Sequence, residues 1–171
     1  MSSTLIIYRS KYGATKQYAQ WLATELLADL KEAKQVKKQE LNSYETIIYG
    51  GGIYVEHVNG VSLITKHLSN LKDKRIIVFG VGLAAPNETL TKTLQETVLG
   101  THFFYLRGSL NFTRLTLIDK ILMLAFKRII KKIPHPTQEQ LDMLDVYQTP
   151  VNHVERSNLN ELIQFIKKDE R

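Results

Sequence analysis

The sequence predicts a doubly wound α/β fold: a five-stranded parallel sheet with helices on both faces. Three observations predict it. Residues 5–8, 46–49, 75–81 and 102–107 are short runs that stay apolar on consecutive positions, as strands buried on both faces do. Segments of helical period separate and follow them. The first three runs each end in a turn of glycine, small or hydroxyl-bearing residues, at 10–15, 50–52 and 82–85.

Each element has its own signal. After the first strand, residues 14–30 read as a helix, because Tyr18, Leu22 and Leu26 recur at fourfold spacing with Ala19, Ala23, Leu27 and Leu30 beside them. Trp21 lies on the flank of that stripe as a packing residue. A polar stretch leads to residues 36–41, a lysine-bearing edge-strand candidate. Residues 46–49 form a buried strand closed by Gly50-Gly51-Gly52. Past Asn59-Gly60, residues 61–71 read as a second helix. The third buried strand, 75–81, ends at Gly82, and Asn87 caps a helix running to about residue 99. Residues 102–107 make the fourth buried strand. A long helix over 114–133 is stopped by Pro134 and Pro136, and Asn158 with Glu161 three residues on opens a final helix over 159–168. No linker or repeat interrupts the pattern, so one domain spanning residues 1–171 is expected.

Composition narrows the chemistry. The chain has no Cys, which removes disulfides, thiol redox chemistry and iron–sulfur ligation. Electrons, if handled, need an organic cofactor. The five His are scattered, so no metal is expected. The formal charge of +6 serves solubility or favours an acidic partner, an anionic ligand or an anionic membrane surface. No nucleic-acid partner is expected. The N-terminus lacks the pattern of a secretory signal, and no apolar run has bilayer-spanning length. The expected location is the cytoplasm, with a peripheral position at the inner face of the membrane as a further reading.

The turn after the first strand carries the strongest functional signal. Ser10, Lys11, Tyr12, Gly13, Ala14 and Thr15 bring two hydroxyls and a glycine to the start of a helix. The first N–H groups of a helix lack intrahelical acceptors, and its dipole favours an anion there. A G-x-G-x-x-G dinucleotide fingerprint and a P-loop Lys-Ser/Thr pair are both absent. Arg9-Ser10 and Gly50-Gly51 stand where a phosphorylatable receiver domain needs acids. FMN remains, its phosphate on the N–H groups between Lys11 and Thr15. Gly50, Gly51 and Gly52 leave backbone unobstructed, Ile53 and Tyr54 could wall one face of the ring, and Gly82, Leu83, Ala84 and Ala85 the other.

These stretches resemble a known family. The sequence SKYGAT is similar to the flavodoxin signature Ser/Thr-x-Thr-Gly-x-Thr. The stretch YGGGIYVEH resembles the ring-flanking loop of flavodoxin-domain proteins of the menaquinone-dependent protoporphyrinogen IX dehydrogenase type, as do the basic apolar segment after the fourth strand and the closing helix. The resemblance implies noncovalent FMN cycling through one- and two-electron states. By position it makes Ser10, Tyr12, Gly13, Ala14 and Thr15 phosphate-loop residues, Gly51, Gly52, Ile53 and Tyr54 the first flavin loop, and Leu83 to Ala85 the second. The chain departs from the pattern at three places. Tyr12 replaces a hydroxyl-bearing Thr, Ala14 stands where a polar residue is common, and Glu56 occupies a Gly position of the dehydrogenase group.

Two functions fit this reading. One is an FMN-dependent oxidoreductase passing electrons from a reduced substrate, protoporphyrinogen IX among the candidates, to a quinone. The other is an electron shuttle docking on a redox partner protein without a substrate of its own. Carrier flavodoxins are acidic, and this chain is basic. No side chain stands out as a catalytic base, although His57 in the ring-flanking loop could move a proton. Residues 114–133 mix Leu and Ile on more than one face with Lys120, Lys127, Arg128, Lys131 and Lys132. Either the helix buries one stripe on the sheet and snorkels its lysines, or it lies against anionic lipid and admits a lipophilic quinone.

Overall fold

The computed structural model describes residues 3–54 and 56–168. Strand β1 (Thr4–Arg9) leads through the glycine turn into α1 (Ala14–Leu26) and returns as β2 (Asp29–Glu32). Short 3₁₀ turns precede β3 (Thr46–Tyr54), which folds back as β4 (His57–Val58). The short α2 (Ser62–Thr65) leads to β5 (Arg75–Gly82), α3 (Glu88–Thr97) and β6 (His102–Arg107). The parallel strands run in the order β2-β1-β3-β5-β6, with β4 antiparallel on the end of β3. The order reverses at β1, and such a switch point opens a crevice beyond the strand C-termini.

Alternation along the strands divides the core in two. Leu5, Ile7, Ile47, Tyr49, Ile76 and Val78 face one side, packed with Ile64, Leu94 and Val98. Ile6, Ile48, Ile77 and Phe79 face the other, under Tyr18, Leu22, Leu162 and Ile166. Tyr18 is fully buried, and its hydroxyl donates to the Arg107 carbonyl at 2.6 Å while accepting from Asn158 Nδ2 at 2.6 Å. One satisfied phenol thereby ties α1 to β6 and to the start of the closing helix α6 (Asn160–Lys168). The Arg75 guanidinium donates to the carbonyls of Phe165 and Ile166 and covers the Phe165 ring, closing the far end of α6.

Several boundaries differ from the sequence reading. The helix expected over 14–30 stops at Leu26, where Leu27 turns left-handed at φ 50°, and the second strand is Asp29–Glu32 rather than 36–41. Residues 38–43 are 3₁₀ turn. The strand does not close at Gly50: β3 runs through all three glycines, because β1 pairs as far as Gly51, opposite Arg9, and β5 as far as Gly52, opposite Val81. The helix expected over 61–71 is one short turn, Ser62–Thr65, followed by 3₁₀ at Leu68–Asn70.

The largest difference follows β6. Strand β7 (Ser109–Leu110) pairs with β8 (Val151–Asn152), and the His153 N–H donates to the Gly108 carbonyl at 3.0 Å. This ladder bolts an excursion to the sheet edge. The excursion carries α4 (Leu117–Lys131) and α5 (Gln138–Asp145), the latter with a Thr137 capping box. The chain returns to the sheet for α6 without using α4 as a covering layer. The core-helix expectation for 114–133 is therefore corrected: Leu117 is 75 %, Ile118 70 % and Ile129 61 % exposed.

Candidate functional site

Gly13, with φ 102° and ψ −26°, sits at the cap position of α1, a conformation that side chains other than glycine resist. Its N–H donates to Ser10 Oγ at 3.1 Å, which folds residues 10–13 into a closed turn. No side chain caps the helix, so the first amides of α1 keep their donor capacity for a ligand. Thr15 is buried in the first turn, Ala14 is half-buried, and Lys11, Tyr12 and Gly13 are exposed. A Cβ built on Gly13 meets nothing within 4 Å, so open space lies over the loop.

The lid of this loop comes from α4. Asp119, only 8 % exposed, receives Lys11 Nζ at 2.7 Å and a short hydrogen bond from the Tyr12 hydroxyl. The Thr116 N–H donates to the Tyr12 oxygen at 3.1 Å, and Thr116 Oγ caps α4 by accepting from the Asp119 N–H. Tyr12, where the flavodoxin signature has Thr, thus becomes the contact on which the excursion rests. The hydrogen bond from Lys11, then that from Tyr12, holds the Asp119 carboxyl below the ordinary carboxylate range despite its burial. The same Asp119 bond raises Lys11.

Tyr54 closes β3 and is 38 % exposed. Burial raises its phenol, and the Asp119 carboxylate raises it further, so the ring lies within electrostatic reach of the Lys11–Asp119 pair. Glu56, in the tight turn between β3 and β4, has φ 62°, the left-handed conformation that a glycine at this position would take without strain. Val55, beside it, lies outside the described residues. Gly51 is held against the Asn59 backbone and the Val58 side chain, where a Cβ would stand 2.6 Å from the Asn59 carbonyl oxygen.

Of the second wall, Gly82 accepts from the Gly108 N–H at 2.7 Å and the Ala84 carbonyl accepts from the Tyr105 hydroxyl at 2.8 Å. The loop is pinned to β6, with Leu83 and Ala84 half-buried and Ala85 exposed. Ile53 is half-buried and lies over β5, its Cδ1 about 3 Å from Cβ positions built on Gly80 and Gly82. An open cleft of about 1070 Å³ brings Ser10, Lys11 and Tyr54 together, with Arg9, His57 and Asn59 among its other walls. Residues 82–85 do not line it.

The sequence reading missed Thr116 and Asp119 as parts of the site. Thr-x-x-Asp is a helix-start pattern, and it would have set the start of α4 at 117 rather than 114. Among the described residues no helix is long and apolar enough to cross a membrane, and no group of three or more side chains is placed to hold a metal.

The donor set suits the phosphate end of FMN. An uncapped helix start, the Ser10 and Thr15 hydroxyls and a glycine that leaves the approach open favour a dianion, while the Lys11 ammonium is already paired with Asp119. Comparison with curated proteins gave no match. Among solved structures, the Lactobacillus acidophilus flavoprotein in complex with FMN is 19 % identical, covering 63 % of this chain and 93 % of its own, with TM-score 0.45. Two-electron reduced Megasphaera elsdenii flavodoxin is 16 % identical over 60 % and 82 % of the two chains, TM-score 0.45. Oxidised flavodoxin 2 from Bacillus cereus is 22 % identical over 61 % and 83 %, TM-score 0.46. Residues 5–138 match the family model of the flavodoxin domain, which takes in β1 through the start of α5. By that match, the chain belongs to the flavodoxin domain family.

Proposed function

We propose that this chain is an FMN-dependent oxidoreductase that works at an anionic membrane surface, taking electrons from a reduced organic substrate and delivering them to a quinone. FMN, the cofactor that the family and the donor set support, supplies one- and two-electron redox chemistry when bound. The chain's own part is to hold the phosphate on the amides of residues 11–15, to wall the ring with Tyr54 and the pinned 82–85 backbone, and to exclude water from it. Protoporphyrinogen IX is the substrate that the family resemblance suggests.

The observation that carries the quinone and membrane reading is the inverted amphipathicity of α4. Asp119, Met123, Lys127 and Ile130 face the body of the protein, where Ile130 is buried and Lys127 lies over the Tyr147 ring. Leu117, Ile118, Ile121, Leu122 and Ile129 face outward, each more than half exposed. Arg128, Lys131 and Lys132 are exposed at the C-terminal end. A surface of isoleucine and leucine edged by cations suits an anionic bilayer, at about 1 kcal/mol per cation near the headgroups. The N-terminus of the same helix rests on the phosphate loop, so lipid-borne quinone would arrive beside the flavin.

The test uses FMN-loaded protein and vesicles with and without anionic lipid. Flotation with the anionic vesicles only, lost on neutralising Arg128, Lys131 and Lys132 together, supports the membrane part. Equal partition into both kinds of vesicle, or none into either, contradicts it. Anaerobically reduced protein should be reoxidised by a menaquinone analogue in those vesicles. Reoxidation only after a redox partner protein is added would favour the shuttle instead.

A further inference from the structure

We infer that the cleft between the end of β2 and the β3–β4 hairpin binds a small organic polyanion, a molecule carrying at least two carboxylate or phosphate groups. Five cationic side chains line it, those of Arg9, Lys11, Lys34, Lys38 and Lys66, against one acid, Glu32. Two of the five are already compensated: Lys34 pairs with Glu32 at 3.1 Å and Lys11 with Asp119 at 2.7 Å. Arg9, Lys38 and Lys66 make no ion pair among the described residues. Like charges gathered around one concavity raise the local potential and concentrate anions there.

The cleft is also shaped for an organic body rather than an inorganic ion. Its volume of about 1070 Å³ far exceeds one phosphate, and Val58 and Leu63 give it an apolar side. Arg9 is the best-placed anchor. A Cβ built on Gly60 would stand 2.8 Å from Arg9 Cδ, so the arginine stem lies directly over the glycine of the 59–60 turn. The three uncompensated cations come from three separate segments, the end of β1, the 3₁₀ turn after β2 and the turn after α2. One ligand bridging them needs anionic groups at separated positions.

This site adjoins the phosphate loop and shares Ser10 and Lys11 with it. The cleft takes in none of residues 12–15, and of its free cations Lys38 follows β2 and Lys66 follows α2, while Arg9 ends β1. Tyr54 stands at the shared border. That the polyanion lies against the flavin rests on the proposed function, whereas its binding does not.

The experiment is titration calorimetry at low ionic strength on the FMN-loaded protein, with pyrophosphate in one arm and citrate in the other. Saturable one-to-one binding is expected, and the tighter arm identifies phosphate or carboxylate as the recognised group. The double variant Lys38→Glu, Lys66→Glu should weaken binding at least tenfold while FMN affinity stays within twofold. Lys131→Glu, of equal charge change per site but outside the cleft, should leave polyanion binding unchanged. Heat without saturation, equal weakening by Lys131→Glu, or full binding by the folded double variant would each overturn the assignment. Polyanion binding by protein that takes up no FMN would uphold this site and refute the flavin reading. FMN uptake without polyanion binding would do the reverse.

Discussion

Replacing Gly13 with Ala isolates the backbone conformation on which the phosphate loop depends. A Cβ here meets nothing within 4 Å, so the substitution adds no clash. What remains is the cost of holding an L-residue at φ 102°, about 1–3 kcal/mol, less about 0.4–1 kcal/mol regained from the stiffer unfolded chain. The net loss is roughly 1–2 kcal/mol, or roughly 2–8 °C in Tm for a chain of this size. Relief of that strain turns the Gly13 amide away from Ser10 and re-aims the amides after it. Losing one charge-assisted bond to the phosphate should weaken FMN binding by about tenfold to a hundredfold. Gly100→Ala is the control: its φ is 83° and a Cβ there makes only an ordinary 3.6 Å contact with Leu68. Urea unfolding without FMN should give similar stability losses for both variants. Fluorescence titration should show weakened FMN binding for Gly13→Ala alone. Equal FMN affinities for the two variants would refute the reasoning.

Three further outcomes are expected. Gly50→Ala puts a Cβ 2.0–2.6 Å from three atoms of the buried Phe79 ring, so urea unfolding should show a loss of about 1–3 kcal/mol that Phe79→Leu partly restores. Asp119 titrates below its ordinary 3.8 in the folded protein, so its contribution is complete above that value and is lost as pH falls through the lower folded pKa. Because Lys11 is 41 % exposed, that contribution is about 1 kcal/mol, and Asp119→Asn should flatten the acid limb of the stability profile by this amount. Ile121→Glu with Leu122→Glu, both on the outer face of α4, should change unfolding free energy by no more than about 1 kcal/mol in total while abolishing flotation with anionic vesicles.

The sheet was legible because its inner strands are buried on both faces, and a short consecutive apolar run such as Ile47-Ile48-Tyr49 suits a strand covered by helices above and below. Strand β2 was not. Its sequence, Asp29-Leu30-Lys31-Glu32, is half-buried throughout and pairs only with β1, so nothing requires an apolar run. Leu30 also continues the period of α1, and nothing in the sequence marks Leu27 as the residue that turns left-handed. The glycine triplet misled in the opposite direction, since glycines held by neighbouring strands, Gly50 and Gly51 on both sides and Gly52 on one, extend a strand as readily as they end it. The glycine turn into α1 was legible because a strand followed by Gly13 and a helical period is a local feature. The role of Asp119 was not, because its partners Lys11 and Tyr12 lie more than a hundred residues away in the chain. For α4 the apolar pattern was clear, but the sequence does not say which face turns inward. Contacts distant in the chain hold that face, Asp119 with Lys11 and Tyr12 and Lys127 over the Tyr147 ring.

The claim that everything else depends on is a flavin held by its phosphate at the start of α1. Parallel titration of the purified, cofactor-stripped protein with FMN and with riboflavin tests it most directly, because the two differ only in the phosphate. The account predicts a yellow complex with FMN and riboflavin binding weaker by at least about tenfold, the worth of a charge-assisted anion site. Equal affinity for the two flavins, or uptake of neither, would contradict it.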